Sequence, residues 1–424
     1  MCLASCEWNI MYPRKGEKMI QTVLIADDLT GTLDSGVCLI GQGARVCVDD
    51  ASATDALSDI SGALCVNTAS RHMDAATAAE HVFALVTAAK NAGACRIVKK
   101  TDSALRGNIG AELEAAWKAS GEDRLHFIPA LPSMNRVTRG GIHYVDGAPV
   151  SESVFGRDPF EPVTCSDVCG IIAAQSDAPT MLVRLGEDVP GDFTGIVVYD
   201  AESDEDVAAR VRELDFVGDH GVLAGCAGLA NALAVIDSDA ATGHGVESFT
   251  GNLLVVCGSV NDVSRRQCEL AEERGARVFH IAETEKSDDE WLASDEGRAF
   301  IAEVNDSWAS NALTVVNGSG MEDLTSLVPA DSDVRQVVSD HIGALLAAVV
   351  ASGVRGRALV TGGDVLTSFL TQAKVGELTP LGQVSSGVVA FEVHTAAGDL
   401  VIASKSGGFG DADLLVQMAQ LSTK

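Results

Sequence analysis

Three carboxylates crowd into one short stretch, Asp27-Asp28-Leu29-Thr30-Gly31-Thr32-Leu33-Asp34, directly after the apolar run Val23-Leu24-Ile25-Ala26. Acids this close are costly unless they meet a cation, a metal or a substrate hydroxyl. The apolar run reads as a buried parallel strand, and an amphipathic helix is expected to begin near Asp34. In an open α/β sheet, ligands lie beyond the carboxyl ends of the strands. The spacing therefore puts Asp27, Asp28 and Asp34 at the mouth of a cleft. Helix capping by Asp28 or Thr30 accounts for one acid, not three.

A second cluster follows the apolar run at Ile97-Val98, where Lys99, Lys100, Asp102, Arg106 and Asn108 surround one turn. Arg106 could hold a carboxylate through two parallel hydrogen bonds, and Asp102 could accept from substrate hydroxyls. The plainer reading is a surface Asp102–Arg106 ion pair worth under about 1 kcal/mol. From Pro129 to Pro162 the chain is punctuated by Gly and Pro. It carries Arg136, Arg139, Gly140, Gly141, His143, Tyr144, Asp146, Gly147, Arg157 and Asp158. A loop of this length with little secondary structure is expected to serve binding. His143 alone carries little weight.

Three glycine turns come later: Cys257-Gly258-Ser259-Val260-Asn261, Thr361-Gly362-Gly363-Asp364-Val365 and Lys405-Ser406-Gly407-Gly408-Phe409-Gly410. Such turns let a phosphate approach free N–H groups at a helix N-terminus. None matches the P-loop or the dinucleotide fingerprint. A half that binds hydroxyls and anions, facing a half that binds phosphate, suits phosphoryl transfer. That chemistry needs positioning, a metal to neutralise phosphate charge and a carboxylate to accept the hydroxyl proton.

The elements that must position these residues alternate between short apolar runs and helical periods. Expected strands are 23–26, 44–48, 63–67, 96–99, 125–129, 181–184 and 195–199, then 253–257, 277–281, 312–316, 358–361 and 400–404. Expected helices are 33–42, 75–92, 108–119 and 204–214, then 261–274 and 335–351. The fold class is α/β: two α/β domains with mainly parallel sheets and a cleft between them. The Ser-, Gly- and Asp-rich residues 239–252 read as a linker. The domains are then 19–238 and 253–424, and residues 1–18 form an N-terminal extension without ordered structure.

With 424 residues, two cores are the natural division. The net charge of −30 argues against nucleic acid and anionic membranes as partners, and gives weight to each cation placed at a turn. Eleven cysteines, scattered and mostly in apolar runs, read as buried thiols in a reducing cytoplasm. Cys165 and Cys169 lack a second pair at zinc spacing. No signal sequence is recognised at the N-terminus, so the expected location is cytoplasmic.

Taken in order, the motifs resemble those of the four-carbon acid sugar kinases. The resemblance rests on Ile25-Ala26-Asp27-Asp28-Leu29-Thr30-Gly31, on Lys100-Thr101-Asp102-Ser103-Ala104-Leu105-Arg106-Gly107-Asn108, and on His143-Tyr144-Val145-Asp146-Gly147 followed by Arg157-Asp158-Pro159. Gly258-Ser259, Thr361-Gly362-Gly363-Asp364 and Lys405 to Gly410 are similar to the family's ATP-binding turns. It departs in having Asn261 where many members carry Ser, and Asp364 where Glu is common.

The resemblance implies an ATP- and Mg²⁺-dependent kinase acting on a terminal hydroxyl of D-threonate, D-erythronate or a 3-oxo-tetronate; the oligomeric state is left open, a homodimer being one candidate. It implies a sugar-acid-binding N-terminal domain and a nucleotide-binding C-terminal domain. Asp27, Lys100, Arg106 and Asn108 would hold the acid, and Asp28 or Asp102 would accept the proton. Ser259, Gly362, Gly363, Asp364, Val365 and Gly407 would line ATP. The metal ligands are left open. The alternatives are an NAD(P)-dependent sugar-acid dehydrogenase and a non-catalytic sensor of an acid and a nucleotide.

Overall fold

The computed structural model describes residues 20–158, 162–216, 222–237, 249–259, 261–282, 285, 288, 290–319, 334–406 and 408–421. The expected extension 1–18 and residues 239–248 of the expected linker lie outside these.

The N-terminal half runs β1 (Ile20–Ala26), α1 (Leu29–Cys38), β2 (Arg45–Cys47), α2 (Asp50–Asp59), β3 (Gly62–Asn67), α3 (Ala75–Asn91), β4 (Arg96–Lys100), α4 (Ile109–Ser120) and β5 (Arg124–Ile128). After a small hairpin unit, β6 (Arg136–Arg139), β7 (Ile142–Val145) and β8 (Ala148–Pro149), it continues through α5 (Val168–Ala173), β9 (Thr180–Val183), β10 (Gly195–Tyr199), α6 (Asp204–Phe216), β11 (Val222–Gly225) and α7 (Ala227–Asp237). The strands in order β2-β3-β1-β4-β11-β5-β10-β9 are all parallel. All but the edge strand β9 are largely buried on both faces. In β1, Leu24 and Ala26 join one core and Val23 and Ile25 the other, the period of two that a covered strand requires.

The C-terminal half comprises β12 (Leu253–Cys257), α8 (Asp262–Glu273), β13 (Arg277–His280), α9 (Asp295–Ser310), β14 (Leu313–Asn317), α10 (Val334–Ala351), β15 (Arg357–Thr361) and α11 (Gly363–Gln372), then β16 (Glu377–Ser385), β17 (Val388–Thr395), β18 (Gly398–Lys405) and α12 (Leu414–Gln420). Its sheet is mixed. β13-β14-β12-β15-β18 are parallel, and β17 and β16 continue from β18 as an antiparallel meander. α10 is apolar and 18 residues long, enough to cross a bilayer by length and composition alone. Its Ile342, Leu345, Leu346 and Val349 belong to the core instead.

β16 pairs antiparallel with β2, so the two sheets join edge to edge into one of 15 strands. Val48 N–H donates to the Gly376 carbonyl at 3.0 Å, and the Arg45 fork grips Glu377. This seam protects two edges that would otherwise expose unpaired backbone groups.

Two expectations are corrected. α1 begins at Leu29, not near Asp34, because Asp28 caps it by accepting from Gly31 N–H at 2.9 Å. The stretch 129–162 is not a loop of little structure. Gly140-Gly141 (φ 60° and 79°) and Asp146-Gly147 (φ 51° and 83°) make two-residue turns joining β6, β7 and β8 into a three-stranded antiparallel sheet. Left-handed residues at both turn positions match the twist of paired strands. Asp200 fastens the first turn by accepting from Gly140 N–H at 2.7 Å and Gly141 N–H at 2.9 Å.

Candidate active site

At the carboxyl ends of β1, β3 and β4 the carboxylates meet around one guanidinium, that of Arg71. Arg71 Nε donates to Asp27 Oδ2 at 2.8 Å and Nη1 to Asp28 Oδ2 at 2.8 Å. Its Nη2 lies 3.5 Å from Asp102 Oδ1. Arg106 then clamps Asp102 with Nε at 2.9 Å and Nη2 at 3.0 Å. Burial would lower the pKa of Arg71, but Asp27, Asp28 and Asp102 raise it well above the usual value. Burial likewise opposes the Asp102 charge. Arg71 and Arg106 overcome it and hold that carboxyl well below the ordinary range. Asp27 is lowered in the same way, against its burial, by Arg71, Lys99 and Lys100.

The loops carrying these side chains are strained and braced. Ala69 (φ 50°) and Leu105 (φ 63°) are left-handed non-glycine residues next to the segments that present Arg71 and Arg106. Such outliers persist only where surrounding contacts over-determine them. Lys99 Nζ contacts buried Glu112 at 2.9 Å, and Ser70 donates to the same carboxylate. Asn108 Nδ2 donates to the carbonyls of Ser70 at 3.0 Å and Met73 at 2.9 Å, which ties the start of α4 to the Arg71 loop. Its amide nitrogen thus positions Arg71.

Lys100 is buried, with Nζ donating to the Thr101 carbonyl at 2.8 Å. A methyl group at Gly31 would lie 2.5 Å from that nitrogen and 2.6 Å from Asp28 Oδ1, so it would displace both side chains. Asp34 sits one turn along α1 from Thr30. Desolvation pushes its carboxyl up to about 7; Lys100 opposes the shift and Asp28 adds to it.

His143 is fully buried. Its Nδ1 pairs with the Thr138 hydroxyl at 3.0 Å and its Nε2 with the Ser103 carbonyl at 3.0 Å. Desolvation pulls its pKa down to about 4, so it stays neutral and braces the Ser103 turn. An unfolded histidine protonates near pH 6.5 and the folded one only near 4. His143→Asn is therefore expected to flatten the loss of stability between those values, measured as melting temperature against pH.

In the C-terminal half, β12, β15 and β18 end side by side. Gly258 N–H donates to the Thr361 carbonyl and Gly362 N–H to the Lys405 carbonyl, each at 3.2 Å. The glycines differ in role. A methyl at Gly258 would strike Val365 at 2.3 Å, so that glycine serves packing. Gly362 (φ 109°) caps α11 with no side chain accepting from the helix, and a methyl there would meet nothing closer than 3.9 Å. No side chain therefore caps the first turn of α11, whose backbone N–H groups are of the kind that bind anions. Gln267 secures the third turn by donating to the carbonyls of Phe409, Gly410 and Asp411 at 2.9–3.1 Å. Lys405 is buried, and desolvation lowers its pKa to about 8.

The halves meet at Gly363. A methyl there would lie 2.6 Å from Thr30 Oγ1, two residues beyond Asp28. Asp27, Asp28, Lys100, Asp102, Arg106 and Asn108 converge on one side of this seam. Gly362 and Gly363 lie on the other, with Ser259 N 3.9 Å from where a Gly362 methyl would be. Asp364 is exposed in the first turn of α11, Val365 is buried in the core, and Gly407 lies outside the described residues. Sequence reasoning missed Arg71 and Glu112, and named Arg136 only as one of several residues in the expected binding stretch. A rare cation shortly after the expected strand 63–67 was the available sign of Arg71.

An acid-and-arginine cluster in one half of this two-domain α/β protein thus stands across the Thr30–Gly363 contact from the N-terminus of α11 in the other. Residues 22–233 match the family model described as a sugar-binding N-terminal domain, and residues 254–415 the one described as a nucleotide-binding C-terminal domain. A D-threonate kinase of Bordetella bronchiseptica is 32% identical over 415 residues, covering 94% of this chain and 96% of that protein. A D-erythronate kinase of Heliobacterium modesticaldum is 27% identical, covering 82% and 84%. The chain belongs to the four-carbon acid sugar kinase family. Its fold is shared by a solved Salmonella typhimurium structure, titled as a putative tRNA synthase, at a TM-score of 0.77, 20% identity and coverage of 95% and 99%.

Proposed function

We propose that the chain is an ATP-dependent kinase that phosphorylates a terminal hydroxyl of a four-carbon sugar acid, with D-threonate the first candidate. The Thr30–Gly363 contact carries the reading: it sets an open helix N-terminus beside a cluster able to grip a hydroxy acid. The nucleotide phosphates lie on the α11 N-terminus between Gly362 and Ser259, where N–H groups and helix dipole favour negative charge. Among the described residues no group of three or more His, Cys, Asp or Glu is arranged to hold a metal ion. Mg²⁺ needs only one or two carboxylates plus phosphate oxygens. Asp364 and Asp28, on either side of the seam, suit that need, and the ion supplies neutralisation of phosphate charge.

The proton acceptor is Asp34 in this reading. Asp102 is too firmly held by Arg71 and Arg106 to be a useful base, whereas a carboxylate near pH 7 combines ionisation with proton affinity. Thr30 and Asp34 share a face of α1, being four residues apart. Asp34 must be ionised to accept a proton, so kcat is expected to rise with pH through about 7 and then level off. Asp34→Asn is expected to lose this limb together with at least about 100-fold in kcat. A wild-type profile flat from pH 5 to 9 would remove Asp34 from the role. The activity itself is tested by ADP release from Mg-ATP with D-threonate, D-erythronate and 3-oxo-tetronate. Absence of turnover on all three overturns the kinase reading.

A further inference from the structure

Arg136 is the one site guanidinium that the network does not use. Among the described residues Arg71 and Arg106 both pair with carboxylates, whereas Arg136 makes no ion pair. It donates from Nη1 to the Ser103 hydroxyl, and its buried Nε has no hydrogen-bond partner. In a chain of net charge −30 this is a conspicuous place to leave a cation.

Its surroundings sharpen the point. Phe155 lies beneath two guanidiniums, with the Arg106 carbon 5.1 Å and the Arg136 carbon 5.4 Å from the ring centroid. The carboxylate that acts on it most strongly, Asp102, is already committed to Arg71 and Arg106, and Asp146 acts more weakly. Burial and repulsion from Arg106 lower the pKa of Arg136, and Asp102 only partly offsets them. A bound anion would relieve both costs. The backbone at Arg136 is rigid. It exchanges hydrogen bonds with Leu131 at 3.1 and 2.8 Å, and it opens the hairpin unit fastened by Asp200. The Thr101 hydroxyl and Asp27 Oδ1 are further buried polar atoms without hydrogen-bond partners, both in the segments that form the Arg71 cluster. The set therefore combines a cationic donor, a hydroxyl and a carboxylate acceptor, the complement of a hydroxy acid.

We propose that the substrate's carboxylate seats against Arg136, beside Phe155 and next to Arg106, so that Arg136 selects acids over neutral polyols. This inference rests on the kinase reading for the identity of the ligand. It also corrects the expectation that Arg106 is the main carboxylate partner: the Arg106 fork is already filled by Asp102.

The test uses the full chain and two variants. Arg136→Met keeps the aliphatic stem over Phe155 and removes the charge, while Arg136→Lys keeps a charge without the fork. Binding of D-threonate and of threitol, its neutral counterpart, is measured by calorimetry with a non-hydrolysable ATP analogue present. ADP binding serves as the folding control. Arg136→Met is expected to weaken D-threonate about 10- to 100-fold, leave ADP binding within twofold and leave threitol unchanged. Arg136→Lys is expected to fall between. Equal losses for acid and polyol, or acid binding within twofold of wild type, would overturn the proposal. Wild-type protein that binds D-threonate without releasing ADP from ATP sinks the kinase reading and leaves the carboxylate seat standing. Wild-type protein that binds no four-carbon acid ends both.

Discussion

Arg71→Met is expected to abolish turnover and to lower folding stability by about 3–5 kcal/mol, the cost of removing one partner from a buried ion pair. The side chain is 9% exposed and its three donor nitrogens serve three carboxylates. Asp27 would be left with Lys99 and Lys100, Asp102 with Arg106, Lys100 and the backbone N–H groups of Ala104 and Arg106, and Asp28 with its capping bond to Gly31. The acid response gives the sign. Asp27 and Asp102 are depressed in the folded chain, so their contribution is complete above about pH 4 and is lost as pH falls through their folded values. In Arg71→Met those values rise, and unfolding moves to higher pH. Arg71→Lys keeps the charge but loses the planar fork that reaches three carboxylates at once, and is expected to recover stability in part while remaining nearly inactive. Thermal melts from pH 3 to 8, read beside ADP release, check this. A methionine variant that melts like wild type and keeps its kcat would show that the network is ornamental.

The fold was largely legible because buried parallel strands announce themselves as apolar runs. The expected strands at 23–26, 63–67, 195–199 and 253–257 all fall within observed ones. The hairpin unit was missed although Gly140-Gly141 and Asp146-Gly147 are strong turn signals. Its strands are only two to four residues long, too short to show alternation. Helices α2 and α9 carry polar residues throughout, which masks their buried stripes. The β2–β16 seam was illegible for another reason. It joins segments some 330 residues apart, and no local pattern records so distant a pairing.

The candidate site was legible where one segment holds several charges, as at Asp27-Asp28 and at Lys100 to Asn108. Arg71 and Arg136 each enter from a separate segment. Their role arises only when β1, β3, β4 and the β6–β8 unit converge. Asn108 shows the reverse: the motif marked it, and the structure gives its amide nitrogen to two carbonyls. Gly258 was read as a phosphate turn, yet it is small because Val365 needs the space.

The seam supplies the second large effect. Gly362→Ala is expected to cut kcat/KM for ATP at least about 100-fold while leaving D-threonate affinity within twofold. Its φ of 109° and ψ of 121° lie where a side chain is strained, at about 1–3 kcal/mol. Relieving that strain must rotate the cap of α11, turning its N–H groups away from the phosphates. The loss therefore falls on the nucleotide and not on the acid. Gly363→Ala acts differently. Its backbone is ordinary, but the new methyl would lie 2.6 Å from Thr30 Oγ1, and where that hydroxyl is held in place the halves are pushed apart. Productive phosphoryl transfer requires the reacting atoms to be held within about 3–3.5 Å, so kcat is expected to fall while both ligands still bind. Adding Thr30→Ala to Gly363→Ala removes the collision and is expected to restore most of the rate. A double-mutant cycle with coupling below about 0.5 kcal/mol would mean that Thr30 and Gly363 do not set the distance between the two ligands.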